Sequence, residues 1–154
     1  MKNLAFNLCL IVFTVVSNVM EITDNENHEI KKVIIQLFDA MRTSNKVKAE
    51  AVFRPEALLQ TVYVTKEGIT VVKEESLKEF IEALGATRQE VWDERVQSFE
   101  INTDGLIATV WTPYKFYVND TFSHCGNNAF ILVKTQHGWK ISSIIDTRRK
   151  NNCN

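Results

Sequence analysis

The C-terminal third of the chain limits the fold more than any other feature. Segments of strand character near 106–118, 121–134 and 138–147 follow one another across two tight turns, Asn119-Asp120 and His137-Gly138. Turns that short join antiparallel neighbours. A further strand near 91–102 precedes them across Asp104-Gly105. The N-terminal half reads differently. Ile30, Val33, Ile34, Leu37, Phe38 and Met41 mark one face of an amphipathic helix. Asn45 can cap a second, short helix carrying Val47, Ala51 and Val52, which Pro55 closes. Leu59, Thr61, Tyr63 and Thr65 alternate with apolar or amide neighbours, and Ile69–Val72 returns as a strand after the Glu67-Gly68 turn. Ser76 and Glu79 form a capping box for a third helix with the stripe Leu77, Phe80, Ile81 and Leu84, ended at Gly85. Helices followed by a run of strands give an α+β class. The expected architecture is a cone-shaped roll, a strongly curved antiparallel sheet wrapped by N-terminal helices.

The first residues follow other rules. Lys2 precedes a 13-residue stretch, Leu4 to Val16, that is apolar apart from Asn7 and Thr14. A spanning helix needs about 20 apolar residues, whereas a secretory signal has this shorter core. Val15 and Ser17 fit a cleavage site, so residues 1–17 read as a signal peptide, 18–27 as a linker, 28–150 as the domain and 151–154 as a tail. A buried N-terminal helix and an uncleaved anchor are the alternatives. Cleavage removes Lys2 and Cys9, leaving 17 basic and 19 acidic residues, a net charge of −2. That balance offers no basic footprint for nucleic acid. Two cysteines remain, Cys125 and Cys153. Export and an even count favour a disulfide, worth about 3–4 kcal/mol in the chain-entropy model; two unpaired thiols are the alternative. The chain is expected to be secreted or periplasmic, with no membrane contact after cleavage.

Several motifs, in order, carry a family resemblance. Asp39-Ala40-Met41-Arg42, a short break and Phe53-Arg54-Pro55-Glu56-Ala57 resemble the helix–helix–strand opening of the nuclear transport factor 2-like superfamily, in its SnoaL-like and lumazine-binding-like branches. Asn102 to Val110 resembles its central hairpin, and Gly138-Trp139-Lys140-Ile141, running to Ile145-Asp146, its last strand. Ser123-His124-Cys125-Gly126, with Asp146-Thr147-Arg148-Arg149 and Cys153, resembles a subset of exported bacterial members. The resemblance covers residues 28 to 150. It implies a cone with a pocket at its open end and, in many relatives, dimerisation through the outer sheet face. Members include isomerases, dehydratases, cyclases and non-catalytic binding domains, so the pocket residues must decide function.

His124 is the first such residue. Strand parity places it with Phe122, Gly126, Asn128, Phe130 and Leu132 on the face expected to look into the cone. There it is either a general base, its ordinary pKa being near 6.5, or a structural histidine. Cys125 points the other way, and no ligand spacing for a metal appears. On the last strand, Asp146 and Arg148 share parity with Lys140, Ser142 and Ile144, opposite Trp139, Ile141, Ser143 and Ile145. If the second set is core, Asp146 and Arg148 face away unless a bulge intervenes. They read as an ion pair at the strand end; alternatively Asp146 orients His124 and Arg148 binds an anionic ligand. Tyr63, Trp92, Trp111, Tyr114 and Phe130 supply rings that either line a pocket for a flat, mostly apolar ligand or fill core and dimer interface.

Three functions compete. One is an exported small-molecule-binding domain that takes an apolar or aromatic ligand and forms a homodimer. Another is an isomerase- or dehydratase-like enzyme with His124 as base and Tyr63 or Tyr114 as donor. The third is a dimeric interaction module with a filled cone. No phosphate loop, nucleophile elbow or C-x-x-C motif is present, and no cofactor is expected.

Overall fold

A computed structural model of the protein describes residues 24–86 and 90–153. The expected signal peptide, most of the linker and Cys9 lie outside these residues.

Helix α1 is described from residue 24 to 42. It is therefore already helical across 24–27, part of the expected linker. Its buried face carries Ile30, Ile34, Leu37 and Met41, the spacing that the apolar pattern predicts. Helix α2 spans Lys46–Val52, with the Asn45 side chain accepting from the Lys48 N–H. Its buried residues are Ala49 and Val52, while Val47 is 69% exposed and Ala51 also faces out. Pro55 does not close this helix. The chain turns directly into strand β1, Phe53–Val64, with Pro55 inside it. Residues 54–56 are exposed, Glu56 takes a positive φ of 61°, and the pairing register shifts between Phe53 and Leu58. A bulge of this kind accommodates the proline.

Strand β2 spans Thr70–Glu75 and helix α3 Leu77–Gly85. The Ser76 hydroxyl accepts from the Glu79 N–H at 3.1 Å, and Ile81 and Leu84 are buried. Gly85 is the last helical residue; a Cβ there would meet Lys46 Cδ of α2 at 2.6 Å. The strand expected over 91–102 is two edge strands, β3 (Trp92–Val96) and β4 (Glu100–Thr103), which both pair with β5 (Ile107–Val118). Pro113 stands where one partner gives way to the other, and its carbonyl accepts from Gln97 N–H. Strands β6 (Thr121–Thr135) and β7 (Gly138–Arg148) complete the sheet. The β5–β6 turn puts Asn119 and Asp120 at positive φ, 49° and 62°, as a primed hairpin turn requires.

The seven strands form one curved, unclosed sheet in the order β2-β1-β7-β6-β5-β3, with β4 beside β5. All pairs are antiparallel except β1 with β7. The three helices and this sheet form the α+β roll that the sequence implies. Phe38 of α1 meets Phe130 of β6 edge-on at 6.1 Å, and Phe80 of α3 meets Phe53 at 6.1 Å. The core thus lies between the helices and the concave face. It leaves space at one end.

Candidate functional site

One register shift decides what lines that space. Leu132 of β6 faces Ile141, but Ile131 faces Ser143, so Ser142 is an extra residue in β7. Before it, Trp139 and Ile141 point into the core; beyond it, Ile144, Asp146 and Arg148 take the inner face. The expectation that Asp146 and Arg148 face away from the core fails for this reason. A bulge inverts parity for everything after it.

The resulting cavity holds about 340 Å³, within the range of small-molecule sites. Its walls are apolar, with Leu37, Phe38 and Met41 from α1, Phe53 and Leu59 from β1 and Phe80 from α3. The polar groups converge from β1, β3, β5, β6 and β7. Asp146 sits at their centre. One carboxylate oxygen accepts from Thr61 Oγ1 at 2.5 Å, and the other from Arg148 Nε and the Tyr114 hydroxyl, both at 2.9 Å. The Tyr114 hydroxyl also lies 3.0 Å from the Thr147 carbonyl, so its single proton serves one of the two at a time. A buried carboxylate with three donors and a guanidinium partner holds the floor together. Asp146 does not bond to His124, and Arg148 gives its Nε to Asp146, as the ion-pair reading has it. Burial, Asp146 and Glu94 push the Tyr114 hydroxyl well above the ordinary tyrosine range.

His124 is half-buried and points into the cavity. Its ring stacks on Phe116 at 4.8 Å and meets Tyr114 edge-on at 5.8 Å, with Nδ1 3.1 Å from Ser123 Oγ. Burial, aided by Arg148 and opposed by Asp146, lowers its pKa to about 4. The imidazole is therefore neutral at pH 7.

Glu94 escaped the sequence reading. The run Asp93-Glu94-Arg95 resembles a solvated surface strand, and Asp93 and Arg95 do form an exposed ion pair at 2.6 Å. Glu94 shares parity with Trp92, however, and both line the cavity. That parity is the signal that could have found it. Its Oε1 accepts from Asn128 Nδ2 at 2.7 Å, and the same nitrogen lies 3.3 Å from Thr112 Oγ1. Burial raises the Glu94 pKa to about 7, with Asn128 opposing and Asp146 adding. Thr61 and Phe116 are further lining residues that the sequence reading left out of the site.

Trp92, Tyr114, His124, Asn128, Phe130, Asp146 and Arg148 thus come together around one cavity. Tyr63 and Trp111 do not belong to it. Tyr63 is 37% exposed near the end of β1, and Trp111 is 44% exposed on the convex face, because Thr112 and Tyr114 take the inward parity of β5. Cys125 is buried behind His124 and bonded to Cys153, with Cα atoms 5.8 Å apart. Cys125 and Arg149 exchange backbone hydrogen bonds at 2.9 Å, so the tail is fixed beside the site. Gly126 is required here, since a Cβ would collide with the Thr147 carbonyl.

Residues 25–144 match the family model described as "Putative lumazine-binding". Among solved structures, the Kfla4162 protein of Kribbella flavida is similar over 85% of this chain and 96% of its own, with 16% identity and a TM-score of 0.64. A nuclear transport factor 2-like protein with a cystatin-like fold from Novosphingobium aromaticivorans is similar over 99% and 94%, at 12% identity and a TM-score of 0.64. A nuclear transport factor 2-like protein of unknown function from Shewanella baltica is similar over 82% and 96%, at 14% identity and a TM-score of 0.60. No curated protein matches the sequence.

Proposed function

The chain belongs to that family, within the nuclear transport factor 2-like superfamily, and from that premise we propose that it is an exported small-molecule-binding domain whose cone takes a flat, mostly apolar ligand. One observation carries this reading: an apolar cavity of about 340 Å³ with a few fixed polar groups converging at its floor. The open volume argues against a cone filled by its own side chains. The Cys125–Cys153 bond suits an oxidising compartment. No helix among the described residues is long and apolar enough to cross a membrane. Residues 1–17 as signal peptide, and 28–150 as the domain with its first helix reaching back to residue 24, complete the reading.

The convex face supports homodimerisation. Trp111, Ile131, Ile145 and Leu58 are exposed there on four successive strands of the sheet, β5, β6, β7 and β1. An apolar band of this kind marks a protein contact. Binding and assembly then separate cleanly. Trp92→Ala should abolish binding of planar aromatic probes by calorimetry. Trp111→Ala should leave binding intact and shift sedimentation towards monomer. Binding that survives Trp92→Ala and disappears with Trp111→Ala would overturn both assignments.

A second reading is supported by Glu94. A carboxyl that titrates near neutrality is suited to general acid–base work. An enzyme in this cone would therefore use Glu94 as base more readily than His124, whose lowered pKa of about 4 makes its neutral imidazole a weak base. Turnover of a carbonyl-containing ligand that Glu94→Gln abolishes and His124→Gln spares would support it.

A further inference from the structure

The polar floor offers a pattern, and not merely polarity. Asn128 is clamped through Nδ2 to Glu94 Oε1 at 2.7 Å, with Thr112 Oγ1 at 3.3 Å. Its own carbonyl oxygen therefore turns away from both partners. Among the described residues no donor to that oxygen or to Glu94 Oε2 is found, and both side chains line the cavity. Two acceptor-bearing side chains thus share one wall of the cavity, joined by the bond between them. Beside them are rings: His124 stacked on Phe116 at 4.8 Å, and Trp92 two residues from Glu94 on the same strand. Glu94, Asp146 and Glu75 outnumber the single cation Arg148, whose Nε is already committed to Asp146. An anionic ligand is poorly served there.

We propose that Glu94 and Asn128 read the edge of a flat heterocycle and select one presenting adjacent N–H donors, as a 2-amino lactam does. This rests on the reading of the cone as a site for flat ligands. The ionised Glu94 carboxylate accepts one N–H of such an edge and the Asn128 carbonyl oxygen the adjacent one, whereas an edge that opens with a carbonyl oxygen meets an acceptor against an acceptor. Hydrogen bonds to a charged group in a dry site discriminate by about tenfold or more. Burial places the Glu94 titration at about pH 7, so the selectivity should grow between pH 6 and pH 8. The titratable or charged groups around the cavity are Tyr114 on β5, His124 on β6, Asp146 and Arg148 on β7 and Glu75 on β2. Of these, His124 stays neutral and Tyr114 protonated across that window.

Three probes of one size test this by calorimetry on the disulfide-bonded chain: 2-aminoquinazolin-4-one, quinazoline-2,4-dione and 1-naphthol. The amino lactam should bind about tenfold tighter than the dione at pH 8, with a smaller gap at pH 6. Glu94→Gln keeps an acceptor for Asn128 and presents an amide N–H to the ligand, so it should reverse the preference and remove the pH dependence. If that variant fails to fold, the pH dependence of the wild-type chain alone decides. Equal binding of all three probes at both pH values would overturn edge reading and leave the cone as a site for flat ligands. A dione preference in the wild-type chain would also overturn it. No binding of any probe would remove the reading of the cone itself, and the inference with it.

Discussion

Replacing Glu94 by Gln should stabilise the protein, and only above about pH 5. The Glu94 carboxyl is pushed up to about 7 in the folded chain, chiefly by burial, from an ordinary 4.5. A raised carboxyl favours the protonated form, so folding is penalised once the unfolded chain ionises. The penalty is negligible below pH 4.5, grows as pH rises towards 7, and is constant beyond. A gap of about two and a half pH units corresponds to about 3 kcal/mol at its plateau. Gln at this position stays neutral at every pH and still accepts from Asn128. For a domain of this size the gain should raise the melting temperature by about 6–12 °C at pH 8 and by almost nothing at pH 4.5. Melts monitored by circular dichroism across pH 4.5–8.5, with the wild-type chain in parallel, measure the difference directly. A variant that gains or loses equally at both ends of the range would refute the buried, proton-holding carboxyl. So would one less stable at pH 8.

Three further outcomes follow from the same site. His124 is depressed from its usual 6.5 to about 4, so it costs stability as pH falls from 6.5 towards 4, and His124→Gln should flatten that acid limb in the same melts; an imidazole resonance titrating near 6.5 would refute it. Asp146→Asn leaves the Arg148 guanidinium without its carboxylate and should lower stability by about 2–3 kcal/mol, discounted because Arg148 is half-exposed, as read by denaturant unfolding; an unchanged midpoint would refute the keystone role. Cys153→Ser should cost about 3–4 kcal/mol, and the oxidised wild-type chain treated with reductant should lose the same amount; a variant as stable as the oxidised chain would refute a bond that holds the tail.

Much of this was legible in the residues. Period 3.6 placed Ile30, Ile34 and Leu37 on one buried face, and period two placed Asn128 and Phe130 inside the cone. Both signals are local and hold until a bulge: Phe122, read on the same face as His124, is 41% exposed because the β5–β6 register shifts between Phe116 and Tyr117. Asp146 and Arg148 were misplaced by parity alone, because the extra residue at Ser142 leaves no mark in composition. In α2 the apolar Val47 and Ala51 face out while Ala49 and Val52 are buried, because a seven-residue helix is too short for its periodicity to fix a phase. Trp111 shows the limit of residue type. A tryptophan in a strand is as much at home on a convex contact face as in a pocket, and only the inward parity of Thr112 and Tyr114 decides. Glu94 was hidden among charged neighbours that do face water.

The place of β7 in the sheet has one last consequence. It is the last of the described strands along the chain, yet it lies in the interior of the sheet, between β1 and β6. Strands β1 and β2 therefore have no neighbour in the rest of the sheet until β7 is in place. Asp146 and Arg148 arrive with that strand, so a product cut short by a dozen residues would lack the binding floor as well as the seam that joins the two halves. Such wiring favours a polypeptide that stays open during synthesis and closes all at once afterwards.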